Sequence, residues 1–237
     1  MPEARAPHRV AIREVRTAHD PAFKSAHDLL RRTFHRAEML SIREWVQSLE
    51  EREADLWTDL GWHLFVATRH GRVIGAASGS YLGNWNVGVV GYIAVTAPGR
   101  GHGLGHRLRA ALRKSFEQDA WRIARRHLRA IVGEVRADNP WLRRVVREQG
   151  AIALDFPYYQ PSVRWLRSPV PLVLYYEPIT YLRRSLPAAD VRRLVYTIWR
   201  RMYRVARPLS NKAFRRMLAA LEGRERVGQM RLVSGER

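Results

Sequence analysis

The feature that most limits what this chain can fold into is a glycine-rich turn, Arg100-Gly101-His102-Gly103-Leu104-Gly105. It lies between the apolar run Val87–Val95 and a stretch carrying Leu104, Leu108, Ala111 and Leu112 at helical spacing. The run predicts a buried strand and the spacing an amphipathic helix. A helix entered through glycines turns several backbone N–H groups toward one point, and its macrodipole adds partial positive charge there. Such a unit is an anion site, suited to a pyrophosphate. In a chain of this composition Arg-x-x-Gly-x-Gly arises by chance roughly 0.2 times, and a turn serving helix packing alone would look the same. The weight therefore rests on what surrounds it.

Those surroundings read as a mixed α/β layer structure. A strand is predicted over residues 10–15. Asp20-Pro21 then opens a helix with Phe23, Ala26, Leu30 and Phe34 on one face. Ser41 and Glu44 have the form of a capping box, starting a second helix that aligns Ile42, Trp45, Val46 and Leu49. Residues 63–68 and 72–81 make a hairpin around His70-Gly71, and Val87–Val95 follows as a further strand. The helix from the glycine turn is predicted to run to about residue 127. A buried strand over 128–135, a helix over 140–149 closed by Gly150, and strands over 151–156 and 170–176 complete the order β, α, α, β, β, β, α, β, α, β, β.

Several function classes fall away on composition. The 237 residues, 46% apolar, bury one full core, and no apolar run approaches the roughly 20 residues that span a bilayer. With an N-terminus lacking an apolar leader, the expectation is a soluble, cytoplasmic protein. The absence of cysteine excludes disulfides, thiolate metal sites and a cysteine nucleophile. The net charge of +20 comes almost wholly from arginine, a bias that genome composition alone can produce. Residues 181–237 hold 15 basic against 4 acidic side chains, about four times the charge density of residues 1–180.

Val95, Arg100 five residues on, and Gly101, Gly103 and Gly105 together resemble the acetyl-CoA-binding motif of the GNAT (GCN5-related N-acetyltransferase) superfamily. A second match lies downstream, where the strand ending in Glu134-Val135 leads to Asn139, with Gly150 eleven residues later. The resemblance covers about residues 8–180. It implies a GNAT fold, a central mixed and mostly antiparallel sheet flanked by helices, with residues 1–180 as the acyltransferase domain and 181–237 as a basic amphipathic helical extension. It further implies that the N–H groups of His102, Gly103, Leu104 and Gly105, with Gly101 and Arg100, hold the pyrophosphate of acetyl-CoA or another acyl-CoA. The edge of Ile93, Ala94 and Val95 would pair with the pantetheine arm, and Asn139 would contact that arm. The family's proline two residues after the valine is displaced here, with Ala97 in its place and Pro98 next.

An amine attacks a thioester only as the free base, and an alkylammonium has a pKa of about 10.4, so a nearby proton acceptor is useful. Glu134 matches the general-base glutamate of the ribosomal-protein N-terminal acetyltransferases; a solvated or arginine-paired strand glutamate is the plain alternative. The tyrosine that many relatives place seven residues after the matching asparagine, as acid for the thiolate, is Val146 here. Tyr158 and Tyr159, within Pro157-Tyr-Tyr-Gln-Pro161, and Tyr92 are the phenols considered instead, beside unaided departure of the thiolate. His102 and His106, four apart, receive no metal, because the first falls in the phosphate turn. Trp57, Trp62, Tyr81 and Trp85 either line an acceptor pocket or complete the core.

Three functions remain open at this point. One is acetyl transfer to an amine: a small compound, an antibiotic-like molecule or a protein N-terminus. Another is acyl transfer from an acidic carrier protein, and the third a module binding CoA or nucleic acid without turnover. In the tail, Val191, Leu194, Val195, Ile198, Met202 and Val205 recur at helical spacing, predicting a helix from Ser185 to near Pro208 and a second from Asn211 to Gly223. The apolar stripe is expected to dock on the body or on a second copy of the chain. The arginines Arg193, Arg200 and Arg204 would form a solvated face for an acidic carrier protein, RNA or an anionic membrane, and removal of residues 209–237 would leave the fold intact.

Overall fold

The computed structural model of the chain describes residues 10–162 and 168–232. The expected spans 1–180 and 181–237 reach into residues 1–9, 163–167 and 233–237, which lie outside the described residues. The N-terminal half forms strand β1 (Ala11–Val15), helices α1 (Pro21–Thr33) and α2 (Ile42–Glu53), then strands β2 (Leu60–Arg69), β3 (Arg72–Leu82) and β4 (Val87–Val95). Helix α3 (Leu104–Asp119), strand β5 (Ala130–Val135), helix α4 (Pro140–Gln149) and strands β6 (Ile152–Ala153), β7 (Tyr158–Gln160) and β8 (Val170–Pro178) follow. Strand β9 (Ser185–Pro187), helices α5 (Ala188–Thr197) and α6 (Lys212–Ala219), and strand β10 (Arg226–Gly228) end the order.

Local chemistry sets the helix starts and the tightest turn. Asp20 caps α1 by accepting from the Ala22 N–H at 2.8 Å, with Pro21 in the first turn. In α2 the Ser41 N–H donates to the Glu44 carboxylate at 2.7 Å while the Glu44 N–H donates to Ser41 Oγ at 3.3 Å, a reciprocal capping box. The β2–β3 hairpin turns on His70 and Gly71, both in the left-handed region at φ 51° and 71°, which matches the twist of the strands it joins.

The main sheet runs β1-β2-β3-β4-β5-β8-β6, with β7 also on β8, and among these pairs only β4 with β5 is parallel. This is the expected mixed, mostly antiparallel sheet. Helices α1 and α2 cover one face through Phe23, Leu30, Trp45 and Leu49 packed on Leu64, Val66, Ala76 and Ala94. Helix α3 packs Leu104, Leu108, Leu112 and Phe116 on the other face, and α4 joins it there.

Two irregularities open the middle of the sheet. In β4 Val90 pairs with Gly79 and Tyr92 with Ser78, so Gly91 is an inserted residue, a β-bulge that bends the strand. Pairing of β4 with β5 ends at Val90 with Gly133, and beyond it the two strands separate.

The tail departs from its sequence reading. Ser185, read as a helix start, opens β9, which pairs antiparallel with β10, because the helix begins only after Pro187. Helix α5 gives way to a π-helical turn at Ile198–Met202, and irregular chain leads to α6. Val191, Leu194, Val195, Ile198, Trp199, Phe214, Met217, Leu221 and Val227 are buried against Val87, Val89, Val132, Leu154, Leu174 and Tyr176, in one cluster. That packing argues against the expectation that residues 209–237 are dispensable. Likewise Arg204 is not part of a solvated face: its guanidinium donates to both carboxylate oxygens of Glu51 on α2, at 2.7 and 2.6 Å.

Candidate active site

The glycine turn has the geometry its composition predicts. Gly101 and Gly103 take φ of 81° and 65°, a region costly for other residues, and open space lies where a Cβ would stand. Gly103 is the N-cap of α3, and the first helical bond runs from the Arg107 N–H to the Gly103 carbonyl at 3.0 Å. The N–H groups of Leu104, Gly105 and His106 therefore have no partner within the helix, and they end at one point under the dipole. His102 is exposed, and Arg100 donates to the Val95 carbonyl at 3.4 Å. The displaced proline is accommodated by a short 3₁₀ turn, Ala97–Gly99, that delivers Arg100 to the turn.

A cavity of about 1220 Å³ runs from this turn along the gap between β4 and β5. Ile93 and Val95 line it, together with Arg100, Gly101, Gly103, Leu104, Gly105, Glu134 and Asn139. Ala94 points to the opposite face and is buried beneath α1 and α2. On the cavity side the backbone of β4 past Val90 has lost β5 as a partner, which leaves a strand edge open to an extended ligand. Asn139 caps α4, accepting from the Trp141 N–H at 2.9 Å. Unpartnered N–H groups, open glycines, a free strand edge and the guanidinium groups of Arg100, Arg113 and Arg144 on the cavity wall fit an anionic nucleotide with an extended arm.

At the inner end stands Glu134, the one residue of β5 that keeps partial exposure. By strand alternation it faces the same side as Val132, away from α3. Its two carboxylate oxygens accept hydrogen bonds from the phenols of Tyr158 and Tyr203, one each. Burial pushes its pKa up to about 7, against the lowering effect of those two bonds. Among the described residues no arginine or lysine pairs with it, unlike the arginine-paired strand glutamate weighed from the sequence.

The three phenols considered from the sequence separate. Tyr158 reaches Glu134. Tyr159, next along β7, turns away and lies under the Arg216 guanidinium, 5.8 Å from its ring centre. Tyr92 donates to the Glu38 carbonyl at 2.6 Å and accepts from the Leu40 N–H at 3.2 Å, tying the α1–α2 connection to β4. Val146, on α4, packs against the core cluster that contains Val135, Leu142 and Tyr175.

Four functional-looking residues escaped sequence reading. Tyr203 comes from the tail, 69 positions from Glu134, with no local signal. Tyr175 lines the cavity from β8, and Gly133 makes room for it, since a Cβ there would lie 2.4 Å from the phenol. Arg109 and Glu177 form a buried ion pair on the same wall, with Arg109 5.5 Å from the Trp141 ring. Of the aromatic residues near the acceptor side, Trp57 and Trp62 line a second, small pocket with Tyr92, Tyr203 and Glu51. Tyr81 and Trp85 are structural: the first donates to Asn86 at 2.9 Å and the second to Thr197 at 3.1 Å.

A bulged, parted strand pair feeding a glycine turn defines a class, the acyltransferases that bind acyl-CoA between two splayed strands. A sequence model of the acetyltransferase (GNAT) family matches residues 23–151, more than half of the 237. The chain belongs to that family and is an N-acetyltransferase. Among solved structures, a GNAT-family protein from Bacteroides thetaiotaomicron superposes with a TM-score of 0.59 at 17% identity, over 82% of this chain and 99% of its own. The ribosomal-protein-S18-alanine N-acetyltransferase from Escherichia coli gives 0.50 at 17% identity, over 73% of this chain and 96% of its own. A protein from Staphylococcus epidermidis gives 0.52 at 11% identity, over 73% and 100%. At these identities the likeness shows the fold. No curated protein matches the chain.

Proposed function

We propose that the protein acetylates a primary amine by direct attack on the thioester, with Glu134 as the base that takes the amine proton. Bound acetyl-CoA supplies the thioester carbonyl. The residues of the chain do the rest: the N–H groups of Leu104, Gly105 and His106 with Arg100 hold the pyrophosphate, the edge of Ile93 and Val95 orients the arm, and Asn139 stands beside it. The observation that carries the reading is the setting of Glu134. It lies where the cofactor cavity meets the opposite face of the sheet, with no cation paired to it among the described residues and with a pKa of about 7. A base with that pKa is ionised in useful amount at neutral pH and still basic enough to draw a proton from an ammonium. Tyr158 and Tyr203 keep the carboxylate in one orientation.

The experiment is a thiol-release assay over a panel of small amines and peptide N-termini, with wild type and Glu134→Gln. Loss of general-base catalysis lowers kcat by roughly 10² to 10⁴, while acetyl-CoA affinity stays as it was. Full turnover in the variant would assign Glu134 to structure. Running the same panel with acyl-carrier-protein thioesters in place of acetyl-CoA tests whether the basic surface serves an acidic donor.

A further inference from the structure

The family-matched segment ends at residue 151, yet the site described above is completed from beyond it. Four features of residues 197–204 act on one side chain. The π-helical turn Ile198–Met202 adds a residue to the helical register, and such turns concentrate at functional sites. It directs Tyr203 inward, where its phenol meets Glu134. Arg204 follows with φ 53°, a left-handed conformation that a non-glycine residue adopts only when its surroundings hold it there. The hold is visible: Arg204 grips Glu51 on α2 through both carboxylate oxygens, and Arg201 pairs with Asp59 in the loop that follows α2 while stacking 4.7 Å from the Trp57 ring. One turn earlier, the indole of Trp199 donates to the Tyr159 carbonyl at 3.1 Å, fixing the strand that carries Tyr158.

We propose that Tyr203 is a positioning residue of the acetyl-transfer site, and that residues 199–204 form a strap whose two arginine anchors set its phenol on Glu134. This rests on the reading of Glu134 as the base. Tyr158 occupies one carboxylate oxygen, so without Tyr203 the other has no donor and the side chain is free to rotate about its last torsion. Both phenols also stabilise the ionised form, opposing burial and the neighbouring Glu38 carboxylate. The groups facing Glu134 are Tyr158 from β7, Tyr203 from the strap, Glu38 from the α1–α2 connection and Tyr92 from β4, whose phenol is committed to the backbone at Glu38 and Leu40. The other groups being acidic or neutral, the Tyr203 phenol supplies half of the hydrogen bonding that keeps the base charged near neutral pH.

The test is the titration of Glu134 itself, followed by carboxyl ¹³C NMR of the protein free of acetyl-CoA, labelled in glutamate and assigned by the resonance lost in Glu134→Gln. Tyr203→Phe keeps the ring and removes the donor. Its Glu134 midpoint is expected to rise by about one pH unit, the order of effect of one hydrogen bond to a carboxylate. In the loaded enzyme the acid limb of kcat/KM should move by the same amount, giving about a tenfold loss at pH 6 that recovers by pH 9, with the KM for acetyl-CoA unchanged. Arg204→Ala, which releases the strap, should reproduce the shift, and Arg204→Lys should do so in part. An unmoved Glu134 midpoint in Tyr203→Phe, or a loss of activity equal at every pH, would overturn the proposal. If Glu134→Gln itself leaves the acid limb in place, the base assignment fails, and the two failures are told apart.

Discussion

Removing the charge of Glu134 should stabilise the folded protein, and only where that charge exists. The carboxyl has a folded-state pKa of about 7 against an ordinary value of 4.5. A carboxyl whose folded pKa is raised favours folding fully below its unfolded value and progressively less as pH rises toward the folded one. At pH 8 the buried carboxylate costs about 3 kcal/mol relative to the unfolded chain; at pH 5 it costs under about 1 kcal/mol. Glu134→Gln keeps the shape and removes the titration. It leaves one phenol without its acceptor, a fixed cost of about 1 kcal/mol that does not depend on pH. Urea unfolding of both proteins at pH 5 and pH 8, free of acetyl-CoA, should therefore show a change in stability about 2 to 3 kcal/mol more favourable to the variant at pH 8. All other titrating groups are common to the two proteins and cancel. A difference below about 0.5 kcal/mol would mean that Glu134 titrates like a solvated carboxyl, and the reasoning from burial would fall.

Three further outcomes follow from the same structure. Gly105→Glu, whose Cβ would sit 3.9 Å from Val95 in ordinary contact, keeps the fold but sets a carboxylate at the α3 N-terminus. It should abolish the rise in melting temperature on adding acetyl-CoA, and an undiminished rise would move the phosphate site elsewhere. Deleting residues 209–237 strips Phe214, Met217 and Val227, all fully buried, from the core and should yield insoluble or partly unfolded protein by circular dichroism. His63, buried between Asp119 at 2.8 Å and Glu14 at 2.7 Å, has a pKa that burial lowers but the two carboxylate bonds raise further, above its ordinary value. Its contribution to stability is full below pH 6.5 and lost as pH rises through the folded pKa, so wild type should lose more melting temperature over that interval than His63→Gln, in which the titration of Glu134 remains.

Much of the local geometry around the candidate cofactor site was legible in the sequence because its signals are local. The glycine turn and the capping box at Ser41 each act within about four residues, so spacing alone exposes them. Glu134 was singled out through the family resemblance, as the match to a general-base glutamate. Tyr203 was not, since what brings it to Glu134 is a π turn and two long-range ion pairs, none of which leaves a periodic trace. The apolar spacing from Val191 to Val205 was read as one straight helix; the π turn breaks that spacing at Ile198–Met202, and the chain turns into the site instead of running past it. Ser185-Leu186-Pro187 misled for a related reason. Its partner, β10, lies some 40 residues on, and a three-residue strand has no pattern long enough to distinguish it from a helix cap.

The central claim, that Glu134 takes the proton of the attacking amine, is tested most directly by the ratio of kcat/KM in wild type to that in Glu134→Gln, measured from pH 5.5 to 9 with a single amine acceptor. The ionisation of the acceptor affects both enzymes alike and divides out. The ratio should climb about tenfold per pH unit below pH 7 and level off above it, as the fraction of ionised Glu134 does. A ratio that stays flat across the range would contradict the assignment.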